Sequence, residues 1–427
     1  MFTKAVFPNG LRYILAPMPQ VKSATVLVMV EAGSRYENAK NNGVSHFLEH
    51  MMFKGTEKRP AKIEISRILD GIGASFNAFT SKEYTGFYVK AAAERLELIT
   101  DVVSDIVLNS LYEAAEVERE KGVIIEEINM DEDEPASRVF QVFEKMVFSG
   151  SPLSMRVAGE KGTVAGMSRE EIVRYVRKMY HSRSMVVTVA GQAGEKDLTN
   201  LSNLTNLVSR YFGGVPKGPE NEFLPAGEGQ KKAQGEIYEK KTEQAHFVLG
   251  MRGYSLSDPR RYAAAILGNI LGGNMSSRLF QEVREKRGLA YYVSAFAEEY
   301  LDTGVFGAAA GVKIEKVEEA IKVVLGVLGE MRNVRVLEEE LRRAKDFAKG
   351  KMVLALEDSF RVASFFASQE LMEKQILLPE EVLSKLEAVT EEEVMAVAKD
   401  LFKEERLNLA VIGPFAGEDK FEKLLKI

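Results

Sequence analysis

The chain has 427 residues, 45% apolar and 28% charged, the balance of a folded globular protein long enough for two or more cores. Its formal net charge of −6 comes from interspersed acids and bases, so it offers no basic face and no nucleic-acid partner is expected. Cysteine is absent, which excludes disulfides, thiolate nucleophiles and cysteine-held metal or iron–sulfur centres; any metal must rest on His, Asp or Glu.

The opening "MFTKAVFPNGLRYILAPMPQ" has no apolar run long enough for a secretion signal, and Pro8, Asn9 and Gly10 make a turn. The apolar "SATVLVMVEAG" is too short to span a bilayer, and its β-branched content suits a buried strand. A cytoplasmic protein with no membrane partner is the expectation. Next, Asn41 and Asn42 offer N-cap chemistry for a helix running to about Lys54, with Gly55 as its stop. Val44, Phe47, Leu48 and Met51 fall at i, i+3, i+4 and i+7 and predict its core-facing stripe.

The neighbouring stripe of that helix holds His46, Glu49, His50 and Phe53, the first three within the pentapeptide "HFLEH". Two imidazoles at i and i+4 leave one helical face and can share one ion. Glu49 lies on the same side, within reach of a proton on a metal-bound water. The pattern is the inverted zincin motif H-x-x-E-H. A catalytic zinc site needs a third protein ligand and an open position. The segment "EAAEVEREKGVIIEEINM" supplies acids on one predicted helix whose core stripe is Val117, Ile124 and Ile128. Glu120 and Glu127 are seven apart and share a face, whereas Glu126 is turned away. Glu127 is the better ligand, and Glu120 is placed to orient an imidazole. Between these helices, "SFNAFTSKEYTGFYVK" alternates through strand-forming residues.

Residues 213–235, rich in Gly, Pro and charge, predict a linker between a domain at 1–212 and one at 236–427. The two halves echo each other. Ser168 and Thr390, Tyr180 and Phe402, Val189 and Val411, and Gly191 and Gly413 all share an offset of 222 (390−168). Each set reads as a capped amphipathic helix, a short turn, a strand and a Gly stop. "EVEREKG" from Glu116 is likewise echoed by "ELRRAKD" from Glu340. Runs of strands followed by runs of helices predict an α+β fold. It consists of two duplicated α/β sandwich domains, each an antiparallel-rich sheet packed with helices.

"HFLEHMMFKGT", "FNAFTSKEYTGFYVKA" and "EVEREKGVIIEEI" together resemble the pitrilysin/insulinase family of zinc peptidases, nearest its mitochondrial processing peptidase-like branch. The resemblance covers essentially the whole chain. It implies one Zn2+ per chain on His46, His50 and Glu127, the last 77 positions beyond His50 (127−50), with Glu49 as general base and Glu120 assisting. It makes the segment around Asn77, Ala78 and Phe79 an edge strand that pairs with an extended peptide substrate. In "LFQEVREKRGLAYYVSAF", Arg284 and Tyr291 match a pair that assists catalysis: Arg284 holds substrate carbonyls and the Tyr291 hydroxyl donates to the oxyanion. "LGGNMSSRLF", from Leu271, matches the small-residue stretch before that helix. Glu120 and Glu127 fall opposite Ala344 and Lys351, so the second domain is expected to be metal-free. Subunits of this length pair, which implies a homodimer in which Arg284 and Tyr291 complete the zinc site of the opposite copy. The alternatives are one half of a heterodimeric processing peptidase and a noncatalytic core-type subunit.

Overall fold

The computed structural model describes residues 2–192, 201–417 and 421–427. The first half opens with strands β1 (Thr3–Val6), β2 (Arg12–Pro17) and β3 (Ser23–Val30), followed by helices α1 (Val44–Met52) and α2 (Lys62–Gly71). A hairpin of β4 (Ser75–Thr80) and β5 (Thr85–Ala92) leads to α3 (Leu96–Leu108), α4 (Ala114–Asp133) and α5 (Pro135–Val147). It closes with α6 (Lys161–Gly166), α7 (Arg169–Met179), β6 (Met185–Gly191) and α8 (Leu201–Phe212). The second half runs through β7 (Gln234–Glu239), β8 (Gln244–Gly253), α9 (Arg261–Gly272), a π-helical stretch at Phe280–Glu285, β9 (Ala290–Glu299) and β10 (Gly304–Lys313). Helices α10 (Val317–Asn333), α11 (Glu338–Ala355), α12 (Ser359–Ser368), α13 (Pro379–Ala388) and α14 (Glu391–Leu401) precede the last strand, β11 (Asn408–Gly413).

The strands form two sheets, ordered β1-β2-β6-β3-β5-β4 and β7-β11-β8-β10-β9. In each, the late strand enters the middle, parallel to one neighbour and antiparallel to the other: β6 between β2 and β3, β11 between β7 and β8. The duplication therefore extends from local pattern to topology, and the α+β expectation holds. The echoed helix starts are alike in detail, since Ser168 and Thr390 each accept from the backbone amide three residues on within a capping box. No described helix is long and apolar enough to cross a membrane.

By packing, one unit comprises Met1–Ile128, Met155–Leu224 and Val353–Leu378, and the other Asn129–Ser154, Pro225–Met352 and Pro379–Ile427. A cut through 213–235 therefore describes the chain order but not the packing. The physical reason is that each sheet is apolar on both faces. Seven of the eight residues of β3 are buried, for example, a continuous run rather than an alternation. In the first unit, one face meets the core of α1, α3, α4 and α7. The other is covered by α12, where Ser359 bonds Thr25 at 2.8 Å. In the second unit α9, α10 and α14 cover one face, and α5 packs Val139, Val142 and Phe143 on the other against Val248, Ala410 and Ile412. α5 and α12 begin 224 positions apart (359−135), as do α4 and α11 (338−114), so equivalent helices cap equivalent faces.

Candidate metal centre

The site lies in the first unit, on α1, α4 and β4. The apolar stripe of α1 is buried as its spacing predicts: Val44, Phe47, Leu48 and Met51 are all 0% exposed. That fixes the helix rotation and turns His46, Glu49 and His50 out of the core. On α4, Val117, Ile124 and Ile128 are buried in the same core and face Glu120 and Glu127 towards the histidines.

The three expected ligands converge. Glu127 Oε2 lies 3.7 Å from His46 Nε2 and 3.3 Å from His50 Nε2, and one ligand atom from each residue falls within 4.8 Å of the other two. Tetrahedral zinc with nitrogen and oxygen ligands at about 2.0–2.2 Å requires ligand atoms at such separations. His46 Nδ1 is buried and has no hydrogen-bond partner among the described residues. His50 Nδ1 is 3.0 Å from Glu120 Oε1, an acceptor that keeps its proton on Nδ1 and leaves Nε2 free to ligate. Glu127 is 43% exposed and Glu120 3%, so the ligand faces an open side while the orienting acid is enclosed. The donor set therefore fits zinc.

Burial and charge set the protonation states. Burial, with the charge of His50 adding to it, pushes the His46 imidazole down to about 4. Burial also works against the charged form of His50, but the bond to Glu120 and the charges of Glu127, Glu120 and Glu49 outweigh it and raise this imidazole. Burial raises the Glu49 carboxyl, partly offset by a hydrogen bond donated by Thr80 Oγ1 and by the charge of His50. Glu120 is held below its ordinary value: burial opposes its charge, but the bonds from His50 and from Lys54, whose Nζ is 2.6 Å from Oε2, prevail.

β4 pairs with β5 and with no other strand among the described residues, so it is an edge. The hairpin closes with Ser81 N donating to Tyr84 O. Antiparallel alternation then turns the main-chain groups of Asn77 and Phe79 towards β5 and those of Phe76, Ala78 and Thr80 to the open side. Of the three expected substrate-contacting residues, Ala78 alone presents its backbone outward. The Asn77 and Phe79 side chains point to the opposite sheet face, where the Phe79 ring meets Phe360 at 6.2 Å.

Arg284 and Tyr291 belong to the second unit. Arg284 sits on the exposed side of the π-helical stretch, its guanidinium 5.0 Å from the centre of the Phe280 ring, and Tyr291 on β9 is 54% exposed. In that unit α9 carries no His, Asp or Glu, Ala344 is buried and Lys351 exposed on α11. His46, His50 and Glu127 are the one group suited to a metal among the described residues.

Comparison with known proteins accords with this asymmetry. A family model described as Insulinase (Peptidase family M16) matches residues 12–161, and one described as Peptidase M16 inactive domain matches 166–347. An uncharacterized zinc protease of Streptomyces coelicolor is 37% identical over 415 residues, covering 96% of this chain and 89% of the relative. The chain belongs to the insulinase family of peptidases, M16. A second relative in the family, the uncharacterized zinc protease YmxG of Bacillus subtilis, is 33% identical over 97% of this chain and 98% of its own. A protease from Helicobacter pylori shares the M16 fold of this chain at a TM-score of 0.89 and 21% identity, covering 97% of this chain and 99% of the other. A structure titled as the peptidase M16 inactive domain from Pseudomonas fluorescens also superposes at 0.89, with 18% identity and 98% and 99% coverage.

Three residues of the site escaped sequence reasoning. Lys54 lies four positions after His50 and two past the end of α1, where continuing the helical spacing could have placed it beside Glu120. Thr80 ends β4 and reaches Glu49 on another element, while Glu37 acts from a loop, so no helical period points to either. Glu37 also explains a correction: α1 has Gly43 at its N-cap rather than an Asn41 or Asn42 side chain, with the Glu37 carboxylate accepting from Gly43 N and Ser45 N.

Proposed function

We propose that the chain is a zinc endopeptidase of the processing peptidase-like branch, hydrolysing unfolded peptides held in extended form. The convergence of His46 Nε2, His50 Nε2 and Glu127 Oε2, with Glu49 on the same face, carries this reading. Bound by those atoms, zinc supplies a Lewis acid that polarises the scissile carbonyl and acidifies water.

The chain's own residues do the rest. Glu49, half-buried with its carboxyl raised, is suited to take a proton from water and pass one to the leaving amine. Thr80, at the end of β4, holds the Glu49 carboxylate. The outward amide and carbonyl of Ala78 bind the substrate main chain, which favours extended peptides over folded proteins. Glu120, fixed by Lys54, keeps the His50 ring aimed and holds the proton of its neutral form on Nδ1.

Arg284 and Tyr291 contribute from a second copy of the chain in a homodimer, holding the peptide carbonyl and donating to the developing oxyanion. Their exposure in this chain supports such a role. Peptide cleavage before and after chelation, with Glu49→Gln as control, tests the reading: cleavage that survives metal removal sinks it.

A further inference from the structure

α1 carries both imidazoles, so whatever fixes its first turn also fixes where the two Nε2 atoms lie. The first amides of a helix have no partner within it. Here two of them are taken by one side chain from outside the helix. Glu37 Oε2 accepts from Gly43 N at 2.7 Å and from Asn42 Nδ2 at 2.9 Å, and Oε1 accepts from Ser45 N at 2.8 Å. Glu37 is 4% exposed. A carboxylate in this place satisfies the orphan donors and opposes the positive end of the helix dipole. Ser45, whose amide it holds, directly precedes His46.

The same first turn is enclosed on its other side. Gly43 has φ 96°, and a Cβ on it would lie 2.8 Å from Ala158 O; one on Gly159 would lie 2.5 Å from Asn42 O. Asn42 Nδ2 also reaches Arg156 O at 2.9 Å, and Thr163 Oγ1 donates to Asn42 O at 2.8 Å.

The loop bearing Glu37 is itself anchored to the hairpin that follows Thr80. A Cβ on Gly33 would lie 2.5 Å from Ser81 O, Arg35 N donates to Lys82 O at 2.8 Å, and Arg35 and Glu83 form a buried ion pair. One loop thus touches both halves of the chemistry: the helix with the ligands and the strand end that holds Glu49.

We propose that Glu37 is a positioning residue for the metal pair, setting the axial position of α1 and hence of His46 and His50. This rests on the metal reading of His46, His50 and Glu127. A glutamine keeps the shape but has one acceptor oxygen, and its NH2 faces backbone donors it cannot satisfy.

The test measures zinc affinity of the full chain by competition with a chromophoric chelator, and the thermal midpoint of the metal-free chain. Glu37→Gln is expected to weaken zinc binding about 10- to 100-fold, as loss of groups that support ligands does. Glu37→Asp recovers part of the loss, and Asn42→Ala shows a smaller loss of the same sign. Zinc affinity within about twofold of the unaltered chain in Glu37→Gln overturns the proposal, with or without a lower midpoint. If Glu37→Gln does not fold, unchanged affinity in both Glu37→Asp and Asn42→Ala overturns it instead. Failure of the unaltered chain to take up zinc ends the metal reading and this proposal together, whereas normal uptake with an indifferent Glu37→Gln ends this proposal alone.

Discussion

In the metal-free chain, lowering the pH should cost stability through His46. Burial and the neighbouring His50 charge push this imidazole down from 6.5 to about 4. Between those values the unfolded chain binds a proton that the folded chain refuses. Stability is therefore complete above the unfolded value and is lost as pH falls through the window. The gap of about 2.5 units corresponds to about 3 kcal/mol at 1.36 kcal/mol per unit. The side chain is 17% exposed, so little of this is screened away. About 2 kcal/mol of it is lost between pH 7 and pH 5. His50 acts in the opposite sense. Burial opposes its charge, but its acidic neighbours leave it raised, so its contribution grows as pH falls towards its unfolded value and offsets part of the loss alike in any chain that keeps it. Urea unfolding of the chelated chain at pH 7 and pH 5, compared with His46→Gln, measures the difference. The variant should lose about 2 kcal/mol less across that interval. Equal losses in both chains would refute the assignment of the shift to His46.

The other contacts make separate predictions. Thr80→Val removes a hydrogen bond that lowers the Glu49 carboxyl, so the acid limb of kcat/KM should move to higher pH; an unmoved limb denies the contact a role. Glu120→Gln leaves one acceptor for two partners, His50 and Lys54, and should weaken zinc binding about 10- to 100-fold in a chelator competition. Co-expressed Arg284→Ala and Glu49→Gln chains, each impaired alone, should recover about a quarter of the activity, since half of random dimers are mixed and each holds one complete site. No recovery would mean that the pair does not act between copies.

The parts of the site legible in the sequence are those ruled by helical period. Four apolar residues of α1 and three of α4 fixed two rotations, and those rotations bring His46, His50, Glu120 and Glu127 together. The duplication was legible because capping boxes and Gly stops recur at a shared offset. The packing of α5 and α12 was not, because an amphipathic helix shows that it covers an apolar face but not which one. Glu37 was hidden for a related reason: it caps a helix from six residues before Gly43, through a loop whose path depends on the hairpin at Ser81 and Lys82. The edge strand was legible as a segment, but which backbone groups face outward depends on its register with β5.

The central claim, a zinc site in which Glu49 moves the proton, is tested most directly by cleavage of an unstructured peptide alongside measured zinc content. The zinc-loaded chain should cleave, the chelated chain should not, and restored zinc should restore cleavage. Glu49→Gln should keep one zinc per chain yet lose about 100- to 10,000-fold in rate. Cleavage by Glu49→Gln at the unaltered rate, or a reconstituted chain without zinc, would contradict the account.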